Sequence, residues 1–194
     1  MNGRGFVMTP GPTEMPVSVL KALMRPAITP GDPEFVKVCD ETAELLQRVL
    51  ETKNEVAIFS GSGRIAVESA ICSILEPGDR VLTVNNGVFG HWLGLTVSLA
   101  GGKNVELAAD WRKGVDPEQV REKLRAEKGI KMVVVVHNET STGVANPIAE
   151  IGKVVKEYGA LYMVDVVSST AGDWVKADER GIDLACTCSY KCMN

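Results

Sequence analysis

The chain has 194 residues, of which 45% are hydrophobic and 24% are charged, and its formal net charge is -4. That length and composition predict one globular domain with a substantial core. Acidic and basic residues are interleaved without a basic stripe, and no apolar run approaches the roughly 20 residues that a membrane span needs, so we expect neither nucleic-acid nor membrane binding.

The start of the chain and its cysteines suggest a reducing compartment. Residues 1–5 lack the apolar core of a signal peptide, so we expect the protein in the cytoplasm. Five cysteines, an odd number, argue for free thiols rather than a disulfide framework. Cys186, Cys188 and Cys192 raise the alternative of a metal site, but no further Cys or His is spaced to complete a tetrahedral set. We therefore expect no metal.

The N-terminal region is predicted to be an arm followed by two helices. Phe6–Thr13 contains two prolines and a glycine, which favour an extended, turning segment. A first helix is predicted to start at Pro16 and to end before Pro26. A second helix is predicted over residues 33–50, where apolar residues recur at spacings of three and four, and we expect its apolar side to face the core.

A glycine-rich turn follows the next predicted strand, Glu55–Phe59, and opens an apolar helix. Backbone N–H groups at such a helix N-terminus favour an anion, so Ser62, Gly63 and Arg64 could hold a phosphate. One alternative is an ordinary turn between strand and helix. Another is a dinucleotide site, although Ala66 stands at the third glycine position of that motif, which tolerates alanine.

The middle of the chain repeats a pattern of strand, polar loop and helix. This recurrence indicates a parallel sheet covered on both faces, whose loops meet at one edge. Strands are predicted at 80–84, 104–107 and 131–136, polar loops at 85–92 and 137–143, and helices at 94–100, 116–128 and 148–158.

The last part of the chain places an acid and an amine at that edge. The apolar run Leu161–Asp165 predicts a buried parallel strand ending in a carboxylate, and a strand over 181–189 leads to Lys191. Pyridoxal 5'-phosphate needs a lysine to hold its aldehyde as a Schiff base and a carboxylate beside its ring nitrogen. Asp165 and Lys191 suit these roles. The alternative is an Asp at a strand end and an unrelated surface Lys.

Six separated motifs together resemble one family, the class V pyridoxal-phosphate-dependent aminotransferases. In chain order they are Thr-Pro-Gly-Pro, Ser-Gly-Ser-Gly, Asn-Gly-Val-Phe-Gly, His-Asn-Glu-Thr-Ser-Thr-Gly, Val-Asp-Val-Val-Ser-Ser and Ser-Tyr-Lys-Cys. The closest resemblance is to the branch that transfers the amino group of alanine, serine or 2-aminoethylphosphonate to glyoxylate or pyruvate. It implies a three-layer α/β/α fold, the large domain of type I pyridoxal-phosphate transferases, and a homodimer.

The resemblance also implies a role for each site residue. Lys191 would form the Schiff base, and Asp165 would pair with the pyridine nitrogen. Phe89 would stack on the ring, and Thr140 would hydrogen-bond its phenolic oxygen. Ser62, Gly63 and Arg64 would contact the phosphate, although Arg64 stands where many members have His and Tyr190 replaces a smaller polar residue. The sister branch of cysteine desulfurases has a ring-stacking His and a Ser-x-His-Lys sequence, which this chain lacks.

The resemblance further implies that family members continue for about as many residues again. We therefore divide the chain into an arm with the first helix (1–30) and a cofactor-binding large domain (31–194) that ends just after the lysine. We expect a fragment, a split-gene product or a piece of a longer polypeptide, with a C-terminal partner supplying the arginine for the substrate carboxylate. Arg4 is the first candidate for that role within this chain. The functional alternatives are a non-catalytic or nucleotide-binding α/β module and a desulfurase-like enzyme.

Overall fold

The computed structural model describes residues 7–194, so Arg4 and Phe6, the first residue of the predicted arm, lie outside the described part. Five parallel strands form one sheet in the order β2-β1-β3-β6-β7. They are β1 Arg80–Asn85, β2 Lys103–Ala108, β3 Ile130–Val136, β6 Leu161–Asp165 and β7 Leu184–Cys186. A separate antiparallel pair is formed by β4 Asn138–Glu139 and β5 Val144–Ala145.

Helices cover both faces of this sheet, which confirms the predicted three-layer α/β/α architecture with a parallel sheet. The helices are α1 Val17–Leu23, α2 Pro33–Leu50, α3 Gly63–Ile74, α4 Val88–Leu99, α5 Pro117–Ala126 and α6 Ile148–Glu157. Successive residues of a strand point to opposite faces. Accordingly, Val133 and Val135 join the core under α5 and α6, whereas Met132 and Val134 join the core under α3 and α4.

Several elements differ in the structure from their predicted positions. Residues 55–59 were expected to form a strand, but they pair with no strand among residues 7–194 and stay largely exposed. An extended segment becomes a strand only when a neighbour accepts its backbone hydrogen bonds, and the sequence pattern does not report that neighbour. The loop expected over 85–92 also becomes helical from Val88, and the last strand is limited to Leu184–Cys186.

The prediction that α2 faces the core is wrong for the described part of the chain. Helix α2 has the predicted bounds, but Leu50 is its one buried residue, and Val38, Leu45 and Val49 are exposed. Helix α1 has no buried residue. The amphipathic pattern correctly predicted a helix and an apolar side, but it does not say what covers that side.

Within residues 7–194, no helix is both long enough and apolar enough to cross a bilayer.

Candidate active site

The carboxyl ends of β3, β6 and β7 meet at one edge of the sheet, and the loops after them form a cavity of about 230 Å³. Parallel strands leave their following loops on the same edge, which is where open α/β sheets bind ligands. Six of the seven predicted site residues line this cavity: Gly63, Arg64, Phe89, Thr140, Asp165 and Lys191. Ser62 does not line it, but it immediately precedes α3 as the N-cap residue.

Lys191 lies in this cavity with its amine held by hydroxyl groups. Its Nζ donates to Ser168 Oγ at 3.0 Å and to Thr140 Oγ1 at 3.5 Å, and the two hydroxyls hydrogen-bond each other. The same amine lies 5.9 Å from the centroid of the Phe89 ring. The lysine is therefore placed beside an aromatic face and two groups that can carry a proton.

Asp165 ends β6 and is almost fully enclosed, with 5% of its surface exposed. Its Oδ1 accepts the Val167 N–H at 2.9 Å. Burial raises the pKa of Asp165 to about 6, because the ionised carboxylate loses water; the Val167 N–H and the charge of Lys191 act in the opposite direction. A cationic ring nitrogen placed beside this carboxylate would restore the ionised form.

The N-terminus of α3 forms another wall of the cavity. The Gly63 N–H donates to the Tyr190 hydroxyl at 3.1 Å. A Cβ on Gly63 would lie 2.7 Å from Val167 Cγ2, so only glycine allows the helix to approach the loop after β6 this closely. Ser62, the N-cap residue of α3, makes no side-chain capping hydrogen bond. The Arg64 guanidinium lies 5.0 Å from the Trp92 ring centroid, in cation–π contact.

Several residues that line the cavity were given no cofactor role from the sequence. Ser168 and Tyr190 sit inside the motifs that carry Asp165 and Lys191, and that position was an available signal. Trp92 lies one turn after Phe89, but the sequence placed this segment in a loop. The additional lining residues are Val67, Trp92, Val136, Val167, Ser168 and Tyr190.

A buried histidine supports the loop that carries Ser168. His137 directly follows β3, and its Nδ1 lies 2.9 Å from Ser169 Oγ. Burial lowers the pKa of His137, so the neutral imidazole is favoured. This neutral hydrogen bond connects the loop after β3 to the loop after β6.

The cysteines are all free, and the structure gives no support to a metal site at them. Burial raises the pKa of Cys186 to about 12, whereas a thiol must lose its proton to bind a metal. No group of three or more His, Cys, Asp or Glu side chains within residues 7–194 is placed to hold a metal ion.

Residues 7–194 do not complete a clamp, meaning an arginine placed to bind the substrate carboxylate. Arg64 is the arginine of this part of the chain that lines the cavity. Arg80 and Arg121 pair with glutamates away from it, and Arg180 donates to the Trp174 carbonyl. Arg4, the alternative candidate, lies outside the described residues.

The motifs and the cavity agree with a comparison against known protein families, in which the model described as Aminotransferase class-V matches residues 11–194. The chain belongs to the class V aminotransferase family. Among curated members of this family, the chain is 43% identical to an uncharacterized aminotransferase of Methanocaldococcus jannaschii, over 97% of this chain and 49% of the relative. It is 35% identical to the (S)-ureidoglycine–glyoxylate transaminase of Bacillus subtilis, over 97% of this chain and 45% of the relative.

Solved class V structures have the same fold over nearly the whole chain. The crystal structure of ureidoglycine–glyoxylate aminotransferase from Bacillus subtilis matches with a TM-score of 0.92 and 36% identity, covering 96% of this chain and 48% of the solved one. Pyridoxamine–pyruvate aminotransferase from Mesorhizobium loti matches with a TM-score of 0.92 and 29% identity, covering 97% and 48%. This class V chain thus spans about half the length of the relatives it matches.

Proposed function

We propose that this chain forms the cofactor-binding part of an aminotransferase that uses pyridoxal 5'-phosphate. The observation that carries the proposal is the convergence of the Lys191 amine, the buried Asp165 carboxylate and the Phe89 ring on one cavity. When bound, the cofactor supplies an aldehyde that reacts with amines and a ring that accepts electrons. Class V membership supports the same cofactor.

The size of the cavity and its walls fit this cofactor. At about 230 Å³, the cavity is slightly smaller than the roughly 300 Å³ at which small-molecule pockets usually begin. It therefore suits a single-ring ligand better than the dinucleotide considered as an alternative. The close approach of Gly63 to Val167 brings the N-terminus of α3, which favours an anion, to one wall of the cavity.

Each residue then has a defined task. Asp165 holds the ring nitrogen in its protonated form, and Phe89 fixes the plane of the ring by stacking. Thr140 donates a hydrogen bond to the phenolic oxygen, while Ser62, Gly63 and Arg64 bind the phosphate. Lys191 would hold the cofactor covalently, and its free amine would serve as the base that moves the α-proton of the substrate. Ser168 orients this amine through its 3.0 Å hydrogen bond.

The proposed substrates are a small amino donor of the alanine, serine or 2-aminoethylphosphonate type and a glyoxylate or pyruvate acceptor. Support comes from the names of relatives, which include serine–glyoxylate, alanine–glyoxylate and pyridoxamine–pyruvate enzymes. Because residues 7–194 complete no carboxylate clamp, we propose that polypeptide outside them, such as a C-terminal partner segment, supplies the clamping arginine.

The proposal extends to assembly, organisation and location. The exposed apolar sides of α1 and α2 favour a homodimer in which they are covered. We keep the division into an arm with the first helix, 1–30, and a large domain, 31–194. Five free cysteines fit a reducing compartment such as the cytoplasm.

Covalent trapping tests the proposal directly. The chain, incubated with pyridoxal phosphate and reduced with borohydride, should carry the cofactor on Lys191 in a peptide mass map. Lys191→Ala should lose the adduct and the visible absorbance, whereas Lys153→Ala, an exposed lysine of α6, should retain both. A colourless wild-type protein with no adduct would overturn the proposal and favour the non-catalytic α/β module.

A further inference from the structure

Glu139 is a fully buried carboxylate, with 0% of its surface exposed, that joins two walls of the cavity. Its Oε2 accepts the Gly90 N–H at 2.9 Å, and its Oε1 lies 3.4 Å from the Phe89 nitrogen. Oε1 also accepts the Ser141 N–H at 3.1 Å and the Ser141 hydroxyl at 2.6 Å. One side chain thus binds the start of α4 and the loop after β4.

The Glu139 side chain is surrounded by hydrogen-bond donors rather than by a cation. No lysine or arginine among residues 7–194 forms a salt bridge with it. The first backbone N–H groups of a helix have no partner inside the helix, and the helix dipole favours an anion there. Glu139 therefore acts as the cap that α4 lacks locally, since Gly87 at the N-cap position has no side chain.

The neighbouring residues complete this connection. The Val88 N–H donates to Ser141 Oγ at 2.9 Å, so Val88, Phe89 and Gly90 are all held by Glu139 or Ser141. A Cβ on Gly87 would overlap the Glu139 side chain, so glycine at this position makes room for the carboxylate. Residues at the start of α4 and residues in the segment 139–141 therefore both contribute to this connection.

We propose that Glu139 is a positioning residue that fixes the Phe89 ring and the Thr140 hydroxyl relative to each other across the cavity. Phe89 donates to this carboxylate, and Thr140 is its immediate neighbour in the chain. The assignment rests on the proposed function, because the two positioned groups are those that contact the face and the phenolic oxygen of the cofactor ring. Glu139 itself lines no part of the cavity and acts through its neighbours.

Amide hydrogen exchange tests the link without any cofactor. In Glu139→Gln the amide –NH2 faces backbone N–H donors, and in Glu139→Ala the acceptor is absent. We expect peptides covering 87–91 and 139–142 to exchange about tenfold faster in the Gln variant, and faster still in the Ala variant, as loss of charge-assisted bonds requires. Glu150→Gln, an exposed glutamate of α6, is the matched control. Unchanged exchange in both Glu139 variants would overturn the proposal.

A milder variant covers the case in which Glu139 substitutions prevent folding. Ser141→Ala removes one donor to Glu139 and the acceptor of the Val88 N–H. We expect the same two peptides to exchange faster, by a smaller factor, while the peptide covering α6 is unchanged. If the three peptides showed the same change in exchange rate relative to wild type, the proposed positioning role of Glu139 would be contradicted.

The loaded protein supplies a second readout that a purely structural role would not change. In Glu139→Gln we expect borohydride-trappable cofactor to stay near the wild-type amount while the induced visible circular dichroism falls, because the ring loses its fixed orientation. Unchanged dichroism would count against positioning of the ring. If wild-type protein binds no cofactor, the proposed function fails, whereas the exchange data still decide whether Glu139 holds the start of α4.

Discussion

The central sheet and the α1–α2 pair differ sharply in how they use apolar residues. Leu82 in β1 is 0% exposed, whereas Leu45 in α2 is 57% exposed and Leu23 in α1 is 67% exposed. Both regions show a clear apolar pattern in sequence. The apolar residues of the sheet are covered within the described chain, whereas those of the two helices, apart from Leu50 at the end of α2, are not. A local pattern thus predicts which side is apolar, while burial depends on surfaces contributed from elsewhere.

The largest expected effect comes from comparing truncations in these two regions. Leu82→Ala should lower the free energy of unfolding by about 2 to 5 kcal/mol, because it leaves a cavity in a packed core. Leu45→Ala should lower it by less than about 0.5 kcal/mol in the monomer, since the side chain is already largely exposed. Urea unfolding of both variants at low protein concentration measures the difference.

The same pair also reports on association. If a second copy covers α2, as in the proposed homodimer, Leu45→Ala should weaken self-association in sedimentation while Leu82→Ala should do so only through unfolding. Equal destabilisation by both variants in the monomer would contradict the contrast between the regions.

The next effect concerns Asp165, which is buried at a cost to stability. Its pKa rises to about 6 in the fold from an ordinary value of 3.8, so the folded state holds the proton more tightly than the unfolded chain. Stability should therefore fall as pH rises from about 4 to about 6, where the cost of ionisation reaches at most about 3 kcal/mol. Asp165→Asn should be more stable than wild type by up to that amount at pH 7, and the two should converge below about pH 4.

Urea unfolding of the cofactor-free chain at several pH values checks this expectation. Asp40→Asn, an exposed residue of α2, serves as the control from the other region. Asp165→Asn should at the same time weaken retention of the cofactor. A pH-independent difference between Asp165→Asn and wild type would show that burial does not penalise the charge.

The smallest effect compares the caps of two helices. The Asp116 side chain accepts the Glu118 N–H at 2.9 Å at the start of α5, and Asp32 accepts the Glu34 N–H at 2.8 Å at the start of α2. Asp116→Ala should cost about 1 kcal/mol of unfolding free energy, because α5 is anchored in the core by Val120 and Leu124. Asp32→Ala should cost clearly less, since α2 can fray without disturbing the sheet.

Thermal unfolding of the two cap variants, followed by far-UV circular dichroism, gives the comparison. If Asp116→Ala and Asp32→Ala lowered the unfolding free energy by the same amount, α2 would have to unfold together with the core. The contrast between the two regions would then be limited to side-chain exposure.

Sequence reasoning was most successful where the signal was local. The Asp116-Pro117 start of α5, the Pro33 start of α2 and the run ending at Asp165 are each encoded within a few residues. It failed where a distant partner decided the outcome. Residues 55–59 have strand-like composition but no strand neighbour within the described chain, and Val88 becomes helical because Ser141 and Glu139 satisfy its first turn.

The residues of the candidate site also fall into two groups, those that a local sequence signal predicts and those whose role depends on distant segments. Asp165 and Lys191 were identifiable because Asp165 ends one strand and Lys191 follows the next, and the convergence of strand ends is a general property of parallel sheets. Ser168, Trp92 and Glu139 were not singled out, because their roles depend on distances between segments far apart in the chain. A buried carboxylate such as Glu139 leaves no periodic signal in sequence.

By itself, the sequence determined most of the order of elements, the alternation that directs Val133 and Val135 to one face and Met132 and Val134 to the other, and the family motifs. Those features are local, because backbone geometry repeats every two residues in a strand and every 3.6 in a helix. Only the tertiary structure decided that Lys191 reaches Ser168, that α3 approaches Val167 through Gly63, and that Glu139 caps α4. Each of these contacts joins segments that are far apart in the chain. They pack closely only when the assembled sheet brings the loops at its carboxyl edge next to one another.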